Sequence, residues 1–340
     1  MTLAIWLKFK GQIVKKFRSQ SVYWNRKLRF RAIANALYEK VQSSDYDVMH
    51  CHDMIALITG VRYKKHHPST TLIWDAHELY EDVSYANPIE KEYISDVIAE
   101  SAGYVDRFVT ISESFRDIYS ERHPKLPPAA IVMNATRYTQ EPLIPSPLRE
   151  ATGIHTDQKI LLFQGGLGMY RGIPQLLQAA ENIPSDWSIV FMGWGTYEKA
   201  IDECAQQLNL SRAPDRPVIR RIPPAPQEEL RSWTAGATLG IIPYENSNLN
   251  HLYCTPNKLW EYPNAEIPIL ATDLIEVRQI IERWGTGTLL PREFDHTDIV
   301  AKLAQITDAQ LSGWRENCRK FSKDMAWQTF EPELLSVYEQ

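Results

Sequence analysis

Short apolar runs rich in β-branched residues recur along the chain and alternate with segments of helical periodicity. The candidate strands are YDVMH, TLIWD, RFVTI, AAIVM, KILLF, WSIVFM, PVIRR, TLGIIP, IPILAT and GTLL. Segments such as GIPQLLQAAENI, which lie between them, repeat apolar residues at helical spacing. Strands separated by single helices are typical of βαβ units, so the pattern predicts an α/β protein with parallel sheets.

A proline-rich stretch, YTQEPLIPSPLREATG, breaks this alternation. It predicts a linker at 141–158 between an N-terminal domain, 1–140, and a C-terminal domain, 159–322. The final segment, 323–340, is expected to form a helix that packs back on the N-terminal domain. Two Rossmann-like parallel-sheet domains of this kind face a cleft, and their ligands bind where the strands end.

Composition is that of a soluble globular protein, with 44% apolar and 23% charged residues in 340. No apolar run approaches the roughly 20 residues that span a bilayer. The cysteines are scattered and show no CxxC spacing, so neither a disulfide framework nor a zinc site is suggested. We therefore expect a cytoplasmic protein.

Charge is distributed unevenly. Residues 1–38 contain nine Lys or Arg and no acid, mixed with aromatic residues, whereas the remainder carries 28 basic and 42 acidic residues. A basic and aromatic segment suits an anionic membrane surface, such as the inner face of the membrane, although a solvated helix face explains it equally well. The acidic remainder argues against a nucleic-acid partner.

The first turn of the C-terminal domain, FQGGLGMYRG, contains Gly165 and Gly166 directly after a strand and Arg171 before a helix. Glycines let backbone N–H groups approach an anion, and an Arg can donate a forked pair of hydrogen bonds to phosphate. A tight turn with a surface Arg is the alternative. The dinucleotide pattern GxGxxG fails because Arg171 occupies its third glycine position.

Two later turns have weaker signals. Gly193 follows the strand WSIVFM and permits either close ligand approach or simply a tight turn. Ile222 and Pro223 follow the next strand, where they could lie along a flat nucleobase.

The segment TPNKLWEY predicts a helix start, with Thr255 as N-cap and Pro256 as the first helical residue. Asn257, Lys258 and Glu261 then fall in its first two turns. Lys258 and Glu261 could pair with each other on the helix surface. Alternatively, the Glu261 carboxylate accepts hydrogen bonds from vicinal ribose hydroxyls and Lys258 meets phosphate.

These segments together resemble the nucleotide-sugar domain of the GT-B glycosyltransferases, specifically the retaining family 4. FQGGLGMYRG resembles the family's glycine turn, PNKLWEYPNAEIPILATDLIEVRQII its PNK-x-x-EY signature, and RWGTGTLL the segment that closes the sheet. In the N-terminal half, YDVMHCHD and TLIWDAHELYED resemble strand ends of the acceptor-side domain.

The resemblance implies a metal-independent enzyme that transfers a sugar from a nucleotide diphosphate sugar to a saccharide or lipid-linked acceptor in polysaccharide or glycoconjugate synthesis. It assigns Glu261 to the ribose and Arg171, with Lys258, to the diphosphate. It also places His77 near the reacting sugar. The remaining donor-side residues are Gly165, Gly166, Gly193, Ile222, Pro223, Tyr253, Thr255, Pro256 and Asn257, and the acceptor-side residues are Ser112 and Asn134.

The chain departs from the family at several positions. Tyr253 replaces a donor-contacting Glu, Gly166 replaces an Arg, and Glu266 replaces a glycine before IPIL. The N-terminal domain lacks the family's opening strands and glycine-rich loop. Two alternatives therefore remain: a binding subunit that is inactive until a protein partner completes this domain, and a nucleotide-sugar epimerase.

His50 and His52 are spaced like metal ligands. The sequence offers no evident third ligand beside them, so we expect strand-end histidines and no metal site.

Overall fold

The computed structural model describes residues 28–84, 86–141 and 146–339. Seven of the nine basic residues of the 1–38 segment lie outside this range. The chain forms two compact units. The first comprises the described residues up to Val132, together with Asn248–Asn250 and the chain from Glu333 onwards, and the second comprises Met133–Ser247 and His251–Pro332.

The first unit is built on a four-stranded parallel sheet in the order β1-β2-β3-β4. Its strands are β1 (Val48–His52), β2 (Thr71–Ala76), β3 (Arg107–Thr110) and β4 (Ala129–Ile131). Its helices are α1 (28–41), α2 (Asp53–His66), α3 (Pro88–Ala102) and α4 (Glu113–Arg122).

The second unit is built on a six-stranded parallel sheet in the order β10-β9-β8-β5-β6-β7. Its strands are β5 (Lys159–Gln164), β6 (Trp187–Met192), β7 (Ile219–Ile222), β8 (Leu239–Ile242), β9 (Ile269–Thr272) and β10 (Gly287–Leu290). The helices that follow α4 are α5 (Pro147–Thr152), α6 (Ile173–Ala179), α7 (Glu198–Asn209), α8 (Leu230–Thr234), α9 (Leu249–Leu252), α10 (Lys258–Asn264), α11 (Ile275–Trp284), α12 (His296–Gln305), α13 (Asp308–Asp324) and α14 (Trp327–Glu339).

Alternate residues of β5 pack on opposite faces of the second sheet. Leu161 and Phe163 belong to one buried apolar cluster, and Ile160 and Leu162 belong to another. Side chains of a strand alternate with period two, so these two clusters are the two covered faces of the sheet. This double burial explains why the strands read as continuous apolar runs, and it confirms the predicted parallel-sheet architecture.

Glu266, which stands where the resemblance places a glycine, keeps the backbone conformation that a glycine adopts easily. Its φ is +60°, a left-handed value that is uncommon for a residue with a Cβ. Arg319 Nε donates to its carboxylate at 2.8 Å, and Arg315 Nε donates to its carbonyl at 3.2 Å. These bonds from α13 stabilise a turn that the sequence change would otherwise strain.

No helix within the described ranges is long and apolar enough to cross a membrane.

Candidate active site

The order of strands in the second sheet reverses between β5 and β8. From β5 the chain adds β6 and β7 on one side, and then returns to add β8, β9 and β10 on the other. Loops that leave adjacent strands in opposite directions open a crevice at the carboxyl ends of those strands, where ligands of such sheets bind. In this unit the strand order places that position at the ends of β5 and β8.

The loop after β5 approaches the start of α10 closely at Gly165. This residue has a φ of +106°, and a Cβ on it would lie 2.9 Å from Lys258 Nζ. A Cβ on Gly193, at the end of β6, would lie 1.9 Å from the Gly165 carbonyl oxygen. Close packing against backbone therefore requires a glycine at Gly193, and the left-handed φ favours one at Gly165. The structure brings these two predicted residues together with Lys258.

Gly165→Ala is expected to weaken nucleoside diphosphate binding at least about tenfold and to destabilise the fold by about 1–3 kcal/mol, because the alanine would adopt a strained φ beside the lysine. Gly168→Ala is the matched control in the same loop, since a Cβ there meets nothing within 4 Å. Titration calorimetry and thermal unfolding of both variants measure the two effects. Equal affinities would show that the Gly165 contact is irrelevant to the ligand.

Two cations converge on Tyr244, which follows β8. Lys258 Nζ donates to the Tyr244 hydroxyl at 3.2 Å, and the Arg171 guanidinium also donates to that hydroxyl and lies 4.7 Å from the ring centre. Lys258 is only 7% exposed. Among the residues that the structure describes, no carboxylate lies within 4.0 Å of either cation. Two uncompensated positive charges at the end of a sheet attract an anion such as a diphosphate.

Glu261 takes part in a different set of hydrogen bonds. Gln164 Nε2 donates to its carboxylate at 2.8 Å, and Thr234 Oγ1 donates to Gln164 Oε1 at 2.8 Å. This relay fixes the amide and leaves the second carboxylate oxygen of Glu261 available for a ligand hydroxyl. Lys258 and Glu261 therefore have separate partners, and the ion pair considered from the sequence does not form.

Helix α10, which carries both residues, is anchored by Tyr262. Its hydroxyl donates to the Leu162 carbonyl at 2.9 Å, and its ring occupies the space that a side chain on Gly240 would fill. The missing side chain in β8 thus lets α10 pack tightly on β5 and β8. This packing fixes the distance of Lys258 and Glu261 from the glycine loop.

The predicted start of α10 is wrong by two residues. The N-cap is Asn257 rather than Thr255, and Pro256 lies before the helix. The reason is a tight first turn, in which Leu259 N–H donates to the Pro256 carbonyl at 2.9 Å. Thr255 is instead buried, and its hydroxyl has no hydrogen-bond partner within the described part of the chain.

The other predicted donor-side residues differ in how far their side chains are exposed. The Ile222 side chain lies in the buried core, while Pro223 is exposed at the end of β7. The Ile222 carbonyl accepts from Gly193 N–H at 3.1 Å, which joins this strand end to the glycine turns. Pro223 is therefore the better placed of the two to contact a base. Tyr253 is half-buried in the loop before α10.

In the first unit, three histidines surround one carboxylate at the ends of β1 and β2. His77 Nε2 and His52 Nδ1 both lie 3.2 Å from Asp75 Oδ2, and His50 Nε2 lies 3.4 Å from it. Burial tends to raise the pKa of Asp75, but its contacts with His50 and His77 outweigh this and hold the pKa well below its usual range. Burial, followed by the proximity of His50, lowers the pKa of His52.

Of the two predicted acceptor-side residues, Ser112 does not fit the sequence prediction. Ser112 is completely buried, and its hydroxyl accepts from Phe115 N–H at 3.2 Å as the N-cap of α4. It is a structural cap and not an acceptor contact. Asn134 lies just beyond the unit boundary and belongs to the second unit.

Sequence reasoning missed Gln164, Thr234, Tyr244 and Asp75. Gln164 and Asp75 are polar residues at the end of apolar strands, a signal that could have identified them. Thr234 and Tyr244 carry no comparable signal, because their contacts depend on tertiary packing.

Two family models match the chain. "Glycosyltransferase Family 4" matches residues 9–134, and "Glycosyl transferases group 1" matches residues 146–325. Among curated proteins, a D-inositol 3-phosphate glycosyltransferase of a Nocardioides species is 25% identical over 211 residues, which cover 57% of this chain and 44% of that protein. A protein of the same name from Xylanimonas cellulosilytica is 22% identical over 57% of this chain and 45% of its own length. The chain thus spans less than half the length of these relatives.

Solved structures share the fold. HepE from Anabaena, in complex with UDP-glucose, has a TM-score of 0.69 at 12% identity, covering 90% of this chain and 82% of its own. Sucrose-phosphate synthase from Thermosynechococcus elongatus has a TM-score of 0.67 at 16% identity, covering 87% and 73%. Since the group 1 model matches more than half of the 340 residues, the chain belongs to the glycosyl transferases group 1 family and has the GT-B fold that its glycine turn and PNKLWEY segment predicted.

Proposed function

We propose that the protein transfers a sugar from a nucleotide diphosphate sugar to a hydroxyl acceptor. The observation that carries this proposal is the pair of cations, Lys258 and Arg171, held by Tyr244 without a carboxylate partner among the described residues. A structural neighbour, HepE, is bound to UDP-glucose, which supports a nucleotide sugar as donor. Family membership favours transfer over the inactive-subunit and epimerase alternatives.

In the proposed reaction the bond between the anomeric carbon and the diphosphate oxygen breaks, and negative charge develops on the leaving diphosphate. Lys258 and Arg171 stabilise that charge because they are fixed before the reaction begins. The backbone of Gly165 lies beside Lys258 and carries no side chain, so the phosphates can approach the ammonium group. Protein cations therefore serve the leaving group, as the family 4 resemblance implies, and that resemblance also supports retention of anomeric configuration.

Glu261 would hold the ribose. Its carboxylate is oriented by Gln164 and can accept hydrogen bonds from two vicinal hydroxyls. Pro223, exposed at the end of β7, would cover one face of the base.

Nucleotide binding tests this assignment directly. Glu261→Ala is expected to weaken the binding of the preferred nucleoside diphosphate by about 1–3 kcal/mol, because the ribose hydroxyls lose their acceptor. The thermal shift caused by each of UDP, GDP, ADP and CMP first identifies the preferred base. Calorimetry then compares the affinity of the variants for that nucleotide. Glu316→Ala, which removes an exposed carboxylate paired with Lys320, is the control. Unchanged affinity in Glu261→Ala would refute the ribose contact.

The acceptor would approach His77. This side chain is 36% exposed and lines a cavity of about 690 Å³ in the first unit together with apolar residues such as Met54 and Ile94. A partly apolar lining supports a saccharide acceptor that carries a lipid, and so a role in polysaccharide or glycoconjugate synthesis.

A lipid-linked acceptor also gives the basic 1–38 segment a role, namely peripheral attachment to the anionic inner face of the membrane. Liposome flotation at low salt is expected to recover more protein with vesicles that contain acidic lipid than with neutral vesicles. Added salt should reduce the difference, because it screens the attraction. Equal recovery with both kinds of vesicle would remove the membrane from the proposal.

A further inference from the structure

The ends of β1 and β2 bring together a set of potential metal ligands of which the sequence reveals only two. His50 and His52 lie two residues apart and so share one face of β1. The parallel register places Asp75 of β2 opposite His52. One ring nitrogen of each histidine and one carboxylate oxygen of Asp75 all lie within 4.8 Å of one another.

The spacing of these atoms suits a tetrahedral metal ion. His50 Nε2 lies 3.4 Å and His52 Nδ1 lies 3.2 Å from Asp75 Oδ2. Zinc binds such atoms at about 2.0–2.1 Å, so two ligands of a tetrahedral site are about 3.3 Å apart. The two distances to Asp75 match that separation without any movement of the strands.

The orientation of His50 also fits a ligand. Its Nδ1 lies within hydrogen-bond distance of the Tyr338 hydroxyl. Its Nε2, on the other side of the ring, is buried and lies 3.4 Å from Asp75 Oδ2, but it makes no well-aligned hydrogen bond with any described residue. Ligating histidines in metal sites typically have their outer nitrogen held by a partner in this way, while the inner nitrogen is directed at the ion.

A network of histidine–aspartate hydrogen bonds accounts less well for this arrangement. His77 Nε2 also lies 3.2 Å from Asp75 Oδ2, so a single oxygen has three imidazole nitrogens around it. That oxygen has lone pairs for about two hydrogen bonds. A cation between Asp75, His50 and His52 would satisfy the buried His50 nitrogen and leave His77 to orient the carboxylate from outside.

We propose that His50 Nε2, His52 Nδ1 and Asp75 Oδ2 bind one divalent transition-metal ion of the zinc class. A ligand set of two imidazoles and one carboxylate is typical of such ions. Three protein ligands leave a fourth position open, as in catalytic zinc sites. The His52 side chain is 62% exposed and lines the cavity of about 690 Å³, so the open position faces a space that water or a hydroxyl ligand can enter. The ion belongs to the first unit and is separate from the cations assigned to the diphosphate.

Metal binding can be measured without an activity assay. The full chain is stripped with a chelator and titrated with Zn²⁺ by calorimetry, and with Co²⁺ by visible absorption, which is intense for tetrahedral cobalt. We expect one ion per chain and a tetrahedral cobalt spectrum. Removal of a partner that only orients a ligand costs about 10–100-fold in metal affinity. His52→Ala removes a ligand itself and is expected to lower zinc affinity by more than that, whereas Tyr338→Phe removes only the partner of His50 and should lower it about tenfold.

His155→Ala is the matched control, because His155 also pairs with an aspartate, Asp157, but lies in the second unit. Its affinity for zinc should equal that of the wild type. Asp75→Asn keeps the shape of the side chain but removes the charged carboxylate, the other ligand tested. Circular dichroism checks that each variant is folded. Absence of stoichiometric binding in the wild type, or equal affinity in folded His52→Ala and Asp75→Asn, would overturn the proposal.

Discussion

Lys258→Met is expected to lower turnover of the sugar donor about 10²–10³-fold, the usual cost of removing one preorganised group that stabilises developing charge. Methionine preserves most of the buried volume and removes only the ammonium group. Lys258 is almost fully buried, and its nearest polar partner is the Tyr244 hydroxyl at 3.2 Å. A buried charge without a counter-charge opposes folding, so the same substitution should leave the melting temperature of the ligand-free protein unchanged or higher.

A loss of turnover without a loss of stability distinguishes a functional lysine from a structural one. Donor hydrolysis provides the assay because it requires no acceptor. Lys159→Met is the control, since Lys159 forms ion pairs with Asp186 and Asp308 in the same unit. If Lys258→Met unfolds at a lower temperature and retains turnover, the diphosphate role is wrong.

His77→Ala is expected to reduce transfer at least about 100-fold with the fold intact, within the range for a positioned polar group. His77 is partly exposed and faces the cavity of the first unit. A histidine held only for packing would instead cost stability when it is removed. The two outcomes are separated by measuring donor hydrolysis and thermal unfolding on the same samples.

His67→Ala is a matched control, because His67 is exposed to a similar extent and lies 3.6 Å from the carboxylate of Asp45. Its turnover should equal that of the wild type. Wild-type hydrolysis that survives His77→Ala would eliminate the catalytic role. Clear nucleotide binding without any wild-type hydrolysis would favour the subunit that requires a partner.

The positions of the strands along the chain, and their parallel arrangement, could be predicted from the sequence. Each candidate apolar run coincides with one of β1 to β10, because strands buried on both faces appear as continuous runs of branched residues. The glycine turn and the PNKLWEY segment could be identified for a related reason. Close backbone approach at Gly165 and tight packing of α10 restrict the residue types that these positions accept.

Contacts across the sheet could not be predicted in the same way. Asp75 lies 23 residues after His52 in the chain, and only the register of β1 on β2 places the two side chains together. The capping role of Ser112 and the late start of α10 at Lys258 likewise depend on local backbone geometry. A serine after a strand has the same sequence signature whether it caps a helix or binds a ligand.

The path of the chain through the two units has a consequence for how the protein is made. The chain leaves the first unit after Val132, contributes Asn248–Asn250 to it, and returns to it at Glu333, within α14. The returning segment supplies the Val337 carbonyl that accepts from Arg107 and the Tyr338 hydroxyl that contacts His50. Synthesis proceeds from the N-terminus at about 5–20 residues per second, so β1 and β3 lack these partners until the segment from Glu333 onwards has been made. A ribosome that stops before Glu333 would therefore release a chain whose second unit has all of its residues, but whose first unit cannot complete its own contacts.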